Sequence, residues 1–320
     1  MTFVNHKPIR AAGGLPGGGL GPTGSAMNDK HHERDLKDRR FYRAGEESRF
    51  ADENPDRTPQ TEHPAYQLAF RDTDFLLRDE LRPVRFQLEL LKPEMLLDEA
   101  RVGSTLVMYG SARIPSPPQV EARLEAAGNG DEFEQKVAQR LTEKAKYYDE
   151  AYRLARMVSE KAIIEDGQRQ FVVTTGGGPS IMEAGNRGAS DAGSESIGLN
   201  IVLPHEQAPN SYVTPYLSFQ FHYFALRKMH FLLRARAVAV FPGGFGTFDE
   251  FFELLTLVQT GKMKPIPILL FGRDFWTRVI DFEALAEEGT ISKRDLDLFH
   301  WCETAEDAWA HIAKFYELAG

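Results

Sequence analysis

The 320-residue chain has a single cysteine, Cys302. It can build neither a disulfide framework nor a cysteine-rich metal site, and a reducing cytoplasm is the expected setting. No run of roughly 18 apolar residues occurs, so no segment reads as a membrane span. The first 25 residues lack the continuous apolar core of a signal peptide. Positive charge is not in excess either. Thirty-eight Lys and Arg face 47 Asp and Glu, a net −9, which argues against a nucleic-acid surface but leaves room for a local phosphate pocket.

Three chemical signatures are also missing. No G-x-G-x-x-G follows the first strand-like run, where Tyr109-Gly110-Ser111-Ala112-Arg113 stands instead, and no G-x-x-x-x-G-K-[ST] exists. Dehydrogenase and P-loop NTPase readings lose most of their support. The histidines His205, His222 and His230 lack metal-ligand spacing such as H-E-x-x-H. Neither a metal nor an organic cofactor is expected.

What is present is a core-forming chain, 42% apolar, with strand-like runs alternating with helical patterns. Residues 1–62 read as disordered, being glycine-rich and then highly charged. Residues 63–102 read as a helical extension, and 103–320 as a nucleotide-binding catalytic domain. Strands are expected at Thr105–Tyr109, Phe171–Thr175, Ser196–Leu203, Ser218–Phe221, Ala237–Phe241 and Ile266–Leu270. Residues 114–134 read as an insertion, with a helix from about Glu134 to Ile164. Trp301 to Leu318 reads as a closing helix. The alternation predicts an α/β fold, a doubly wound, Rossmann-like parallel sheet. Ligands bind such sheets beyond the carboxyl ends of the strands.

Two glycine turns fall at those ends. Thr174-Thr175-Gly176-Gly177-Gly178-Pro179-Ser180-Ile181-Met182-Glu183 follows an apolar run, with Pro179 suited to a first helical position. Phe241-Pro242-Gly243-Gly244-Phe245-Gly246-Thr247-Phe248-Asp249-Glu250 follows Ala237–Val240 and leads into a helical pattern. Strand, glycine turn and helix start aim backbone N–H groups at an anion. Gly177, Gly178, Gly243, Gly244, Gly246, Thr247 and Ser111 are therefore candidate phosphate contacts. Glu250 adds a carboxylate in what reads as the first helical turn, which a plain phosphate cradle would not want. Thr247 and Glu250 also fit a capping box, S/T-x-x-E, in which the glutamate only satisfies a backbone N–H.

In the N-glycosidic cleavage implied by the family these residues resemble, that carboxylate has a role, because the transition state is positive at the ribose. Glu250 could stabilise that charge and orient or deprotonate water. Arg227 lies early in the preceding helix, in the adjacent βα unit. It could hold Glu250 ionised or contact a phosphate, or it could be a surface cation. Lys228 as a Schiff-base lysine would fit a pyridoxal-dependent decarboxylase, but no other feature supports that cofactor. His230 could protonate a leaving base, although a structural histidine is the plainer reading.

Residues 176–183, Arg227-Lys228 and Pro242–Glu250 resemble the LONELY GUY (LOG) family of cytokinin riboside 5′-monophosphate phosphoribohydrolases, long labelled lysine decarboxylase-like. The resemblance spans about residues 104–285. The N-terminal extension and the insertion after Arg113 are similar to the longer, bacterial-type members. It implies hydrolysis of a purine nucleoside 5′-monophosphate, a cytokinin nucleotide or AMP, to free base and ribose 5-phosphate. Arg227 and Glu250 match the family's catalytic pair. Phe231 stands where many plant-type members carry methionine. A homo-oligomer, dimer or hexamer, is implied, with residues 66–100 a further interface. The alternative is a non-catalytic nucleotide or molybdenum-cofactor carrier on the same kind of fold.

Overall fold

The computed structural model describes residues 41–53, 56–204 and 208–318. The expectations for residues 1–40 and for His205 lie outside the described residues. The chain divides into two compact units, Met1–Leu76 and Leu77–Gly320, so the expected extension of 63–102 spans parts of both. In the first unit a helix covers Ala44–Glu53, within the stretch whose composition predicted disorder. Its Asp52 pairs with Arg71 at 2.7 Å.

The second unit is built on a seven-stranded parallel sheet. Its strands are β1 Thr105–Tyr109, β2 Val172–Thr175, β3 Ile197–Ile201, β4 Ser218–Phe221, β5 Ala235–Val240, β6 Ile268–Phe271 and β7 His300–Cys302. In space they run β4-β3-β2-β1-β5-β6-β7, every pairing parallel. The chain winds outward from β1 to β4, returns to β5 on the other side of β1, and winds outward again. The strand order therefore reverses beside β1, where a doubly wound sheet opens its crevice.

Burial follows the strand period of two. Val107, Tyr109, Val238, Val240, Ile268 and Leu270 enter one core cluster. Their neighbours Leu106, Met108, Ala237, Ala239, Leu269 and Phe271 enter the other. The helices α1 Arg82–Glu99, α2 Lys146–Lys161, α3 Ile181–Asp191, α4 Phe224–Leu233, α5 Phe245–Gln259 and α6 Ala305–Phe315 cover the two faces. Leu97, Phe231, Phe251 and Leu254 bring α1, α4 and α5 onto the first. Leu154, Ile181 and Ile312 bring α2, α3 and α6 onto the second. The α/β doubly wound expectation holds, and both glycine turns lie on the same carboxyl edge.

Several elements depart from the sequence reading. The expected closing helix gives its first residues to β7, since Thr304 caps α6 by accepting from the Asp307 N–H, and aromatic Trp301 suits an edge strand. The long helix of 134–164 is two helices, Glu132–Thr142 and α2. At the break, Lys144 Nζ donates to the Arg140 carbonyl at 2.5 Å, which a continuous helix would have bonded internally. The insertion holds a helix of its own, Val120–Ala127. A hairpin, Ile164–Glu165 with Gln168–Arg169, turns through Asp166 and Gly167. Both have positive φ, 50° and 74°, as a tight hairpin turn demands.

Candidate functional site

The pair named from the sequence meets in space. Arg227 Nη1 donates to Glu250 Oε1 at 3.0 Å, with 11% and 13% of the two side chains exposed. Arg227 is not a surface cation. Its Nε donates to the Leu199 carbonyl at 2.7 Å, in the middle of β3, and its guanidinium lies 4.8 Å from the Phe231 ring centre. Phe231 is itself buried against Tyr109 of β1, ring centres 5.1 Å apart. It supports Arg227 from beneath.

Glu250 is not a cap. The N-cap of α5 is Gly244, and the helix begins at Phe245. Thr247 is thus inside the first turn, and Glu250 is the sixth helical residue, correcting the first-turn placement. The capping-box reading fails because Thr247 does not precede the helix and the carboxylate goes to Arg227. Burial pushes the Glu250 carboxyl up to about 7, against the pull of Arg227. A carboxyl that titrates near neutrality can hold or release a proton under mild conditions.

The two glycine turns approach this pair from different sides. A Cβ on Gly176 would lie 2.6 Å from Arg227 Nη2, so the first turn packs on the guanidinium. One of its N–H groups and two of its carbonyls are already paired. Gly177 donates its N–H to Thr175 Oγ1 at 2.9 Å. Asn210 Nδ2 reaches the carbonyls of Gly177 at 3.1 Å and Gly178 at 3.0 Å, and Asn186 Oδ1 at 2.9 Å. Pro179 does not open a helix here; the N-cap is Ser180 and α3 begins at Ile181.

The second turn is open. Gly244 and Gly246 have nothing within 4 Å of an added Cβ, whereas at Gly243 that atom would lie 2.1 Å from Thr247 Oγ1. Thr247 is buried beneath the turn. Ser111, after β1, donates its N–H to the Pro242 carbonyl at 3.1 Å, which joins the loops of the two central strands. Ser111, Gly243, Gly244, Gly246 and Thr247 therefore gather at one place, while Gly177 packs against Asn200 and Gly178 against Met182.

Other candidates have different partners. Lys228 Nζ lies 3.0 Å from Asp249 and 3.2 Å from Glu253. Burial works to lower its pKa, but the hydrogen bonds to these carboxylates prevail and raise it. A protonated, doubly paired lysine is a poor Schiff-base nucleophile. His230 turns away toward α1, its Nε2 3.1 Å from the Glu89 carbonyl, and burial lowers its pKa. The backbone N–H groups of His222 and Tyr223 donate to the Glu89 carboxylate. Phe219 and Phe221 are core residues. At the outermost strand β7 and the start of α6, His300, Cys302 and Asp307 each bring one potential metal-ligand atom within 4.8 Å of the others.

Sequence reasoning missed Tyr109, which is fully buried near Glu250, and the asparagines that hold the first turn. Burial pushes the Tyr109 hydroxyl well above its ordinary range, with the Glu250 charge adding to the rise. Its place as the last residue of a strand in the Tyr109-Gly110-Ser111 run was the available signal.

Residues 182–312 match a protein-family model described as "Possible lysine decarboxylase". The matched segment contains Arg227, Lys228 and the second turn through Glu250, and begins just past the first turn. No curated protein matches the chain. Among solved structures, the chain is similar to a molybdenum cofactor binding protein from the phototrophic bacterium Rippkaea orientalis, with 20% identity, 53% of this chain and 88% of that one covered, and a TM-score of 0.38. It is also similar to a Moco carrier protein from Chlamydomonas reinhardtii, with 16% identity, 68% and 99% covered, and a TM-score of 0.38.

Proposed function

We propose that the protein hydrolyses the N-glycosidic bond of a purine nucleoside 5′-monophosphate, releasing free base and ribose 5-phosphate. The observation that carries this reading is the buried Arg227–Glu250 pair beside an open glycine turn, with the Glu250 carboxyl raised to about 7. The phosphate would sit at the start of α5, against the N–H groups of Gly244, Gly246 and Thr247, where the helix end favours negative charge. The ribose would then lie toward Glu250, one helical turn farther on.

As the glycosidic bond breaks, positive charge grows on the ribosyl ring. An ionised Glu250 stabilises that charge and takes a proton from the attacking water. Arg227 is a positioning residue. Its Nε is fixed on the Leu199 carbonyl, so its Nη1 holds one carboxylate oxygen and leaves the other for the reaction. The leaving base needs a proton, which water can supply, since His230 points away. The paired state of Lys228 weighs against the decarboxylase chemistry in the matched family's description.

The test is incubation with AMP and with an N6-modified AMP, assaying adenine or modified adenine together with ribose 5-phosphate. Equimolar appearance of both products, abolished in Glu250→Gln, is the expected result. Binding without turnover in the wild type would overturn the hydrolase and leave the carrier reading.

A further inference from the structure

A cavity of about 590 Å³ opens on the carboxyl edge of the sheet, lined in part by Ser111, Gly243 and Gly244. Neither Arg227 nor Glu250 lines it. Its other walls bring together five cations from four separate segments: Arg113 after β1, Lys136 and Arg140 on the helix Glu132–Thr142, Lys144 beyond it, and Arg278 on the helix Arg273–Val279. No carboxylate lines the cavity. In a chain of net charge −9, such a concentration of one sign runs against the average and needs a reason.

The charges are poorly compensated. Arg140 pairs with Glu143 at 3.0 Å. Arg113, Lys136 and Arg278 form no ion pair among the described residues. Lys144 is half-buried, and its pKa is lowered by that burial first and by Arg278 next. Like charges facing one cavity repel unless an anion enters. Two aromatic rings, Phe133 and Phe275, also line it, and Lys144 Nζ stands 5.7 Å from the Phe275 ring centre. Cations and flat apolar faces together suit a ligand with a charged end and a ring.

We propose that this cavity is a second nucleotide site, which takes a nucleoside di- or triphosphate. Its phosphates lie among Arg113, Lys136, Arg140, Lys144 and Arg278, and its base lies against Phe133 and Phe275. The volume falls within the range of about 300–1,000 Å³ usual for small-molecule sites. A monophosphate carries about two negative charges, too few to balance this many unpaired cations. The site shares Gly243 and Gly244 with the turn that starts α5, so its occupant touches the segment that carries Glu250. The proposal does not depend on the hydrolase reading, because binding here needs neither Arg227 nor Glu250.

Isothermal titration of the full chain with ATP, ADP, AMP and inorganic triphosphate tests it. One ATP should bind to this cavity per chain, more tightly than ADP, with affinity falling as salt rises; AMP binding is read separately, since the proposed catalytic site takes it. The double variant Lys136→Glu/Arg278→Glu changes exposed side chains. It should weaken ATP binding by at least about tenfold without lowering the melting temperature; Lys136→Glu alone is the milder control. Glu250→Gln should bind ATP as the wild type does, whether or not the wild type cleaves AMP. Charge reversal without effect on ATP binding, or loss of ATP binding in Glu250→Gln, would each overturn the proposal. Inorganic triphosphate binding as tightly as ATP would overturn the aromatic half of it.

Discussion

The two glycine turns begin alike, after buried strands on the same edge, yet they are opposite in construction. At Gly176-Gly177-Gly178 the neighbours have closed in. Gly177 has φ 73°, and a Cβ on it would lie 2.1 Å from Asn200 Oδ1. Asn210 ties up the turn's carbonyls. At Gly244 and Gly246 an added Cβ would meet nothing within 4 Å, and Phe245 between them is 94% exposed. The same residue type therefore does two jobs. In the first turn glycine allows a left-handed backbone and close packing on Arg227. In the second it leaves a helix start bare for a ligand. A glycine-rich turn becomes a candidate anion site only when its N–H groups are still unclaimed.

The comparison breaks most sharply at the pair where the turns converge. Glu250→Gln keeps shape and hydrogen bonding but removes charge, and should slow base release by roughly 10²–10⁴-fold. Arg227→Ala should be similarly severe, and the double variant scarcely worse than the worse single, because the two act as one unit. Additive losses measured in this cycle would mean that the arginine works elsewhere, for instance on the phosphate.

The closed turn is tested by stability. Gly177→Ala places a methyl group onto Asn200 and forces an L-residue to positive φ. A loss of about 2–5 kcal/mol is expected from left-handed strain and overpacking together. Urea unfolding should show a lowered midpoint with an unchanged slope. A midpoint equal to wild type would mean that the turn opens freely, and the contrast between the two turns would fall.

The raised carboxyl sets two pH dependences. If the ionised form is required, kcat/KM should climb through about pH 7 and level off above it. For stability the sign is opposite. The folded state holds the Glu250 proton up to about pH 7, while the unfolded chain releases it near the ordinary glutamate value of 4.5. The folded state thus binds more protons in that window, and stability from this group falls as pH rises through it, then stays flat. Relative to Glu250→Gln, the wild type should lose up to about 3 kcal/mol across the window. A stability difference independent of pH from 4.5 to 7 would remove the burial argument.

Much of this arrangement was legible before the structure. Strict apolar runs such as Thr105–Tyr109 and Ala237–Val240 marked central parallel strands, because strands buried on both faces cannot alternate. Glu250 stood out because a carboxylate beside an anion turn is locally inconsistent; Arg227, which alone reads as a surface cation, stood out only through the family resemblance and its place in the adjacent βα unit. The closure of the first turn was not legible. Asn200 and Asn210 are distant in sequence from Gly177, and nothing local announces that they fill its space. The hairpin at Asp166-Gly167 carried a local signal, the D-G pair, inside a stretch read as helix end and loop. The cationic cavity was hidden for the same reason as the asparagines, since its charges arrive from four segments that only the fold brings together.

The smallest stability effect and the finest test belong to the open turn. Gly246 lies in the first turn of α5 with ordinary helical backbone and empty space where a Cβ would go. Gly246→Ala should therefore leave stability unchanged or raise it by about 0.4–1 kcal/mol, by restricting the unfolded chain. If phosphate approaches these N–H groups as proposed, the added methyl group must stand where the ligand comes closest. KM for AMP should then rise while the melting temperature does not fall. Gly177→Ala is the mirror image, stability lost through packing. A Gly246→Ala protein with unchanged KM, and Gly246→Leu after it, would show that no ligand approaches the bare helix start. The phosphate would then have to be sought elsewhere on the edge, at Ser111 and the cations beyond it.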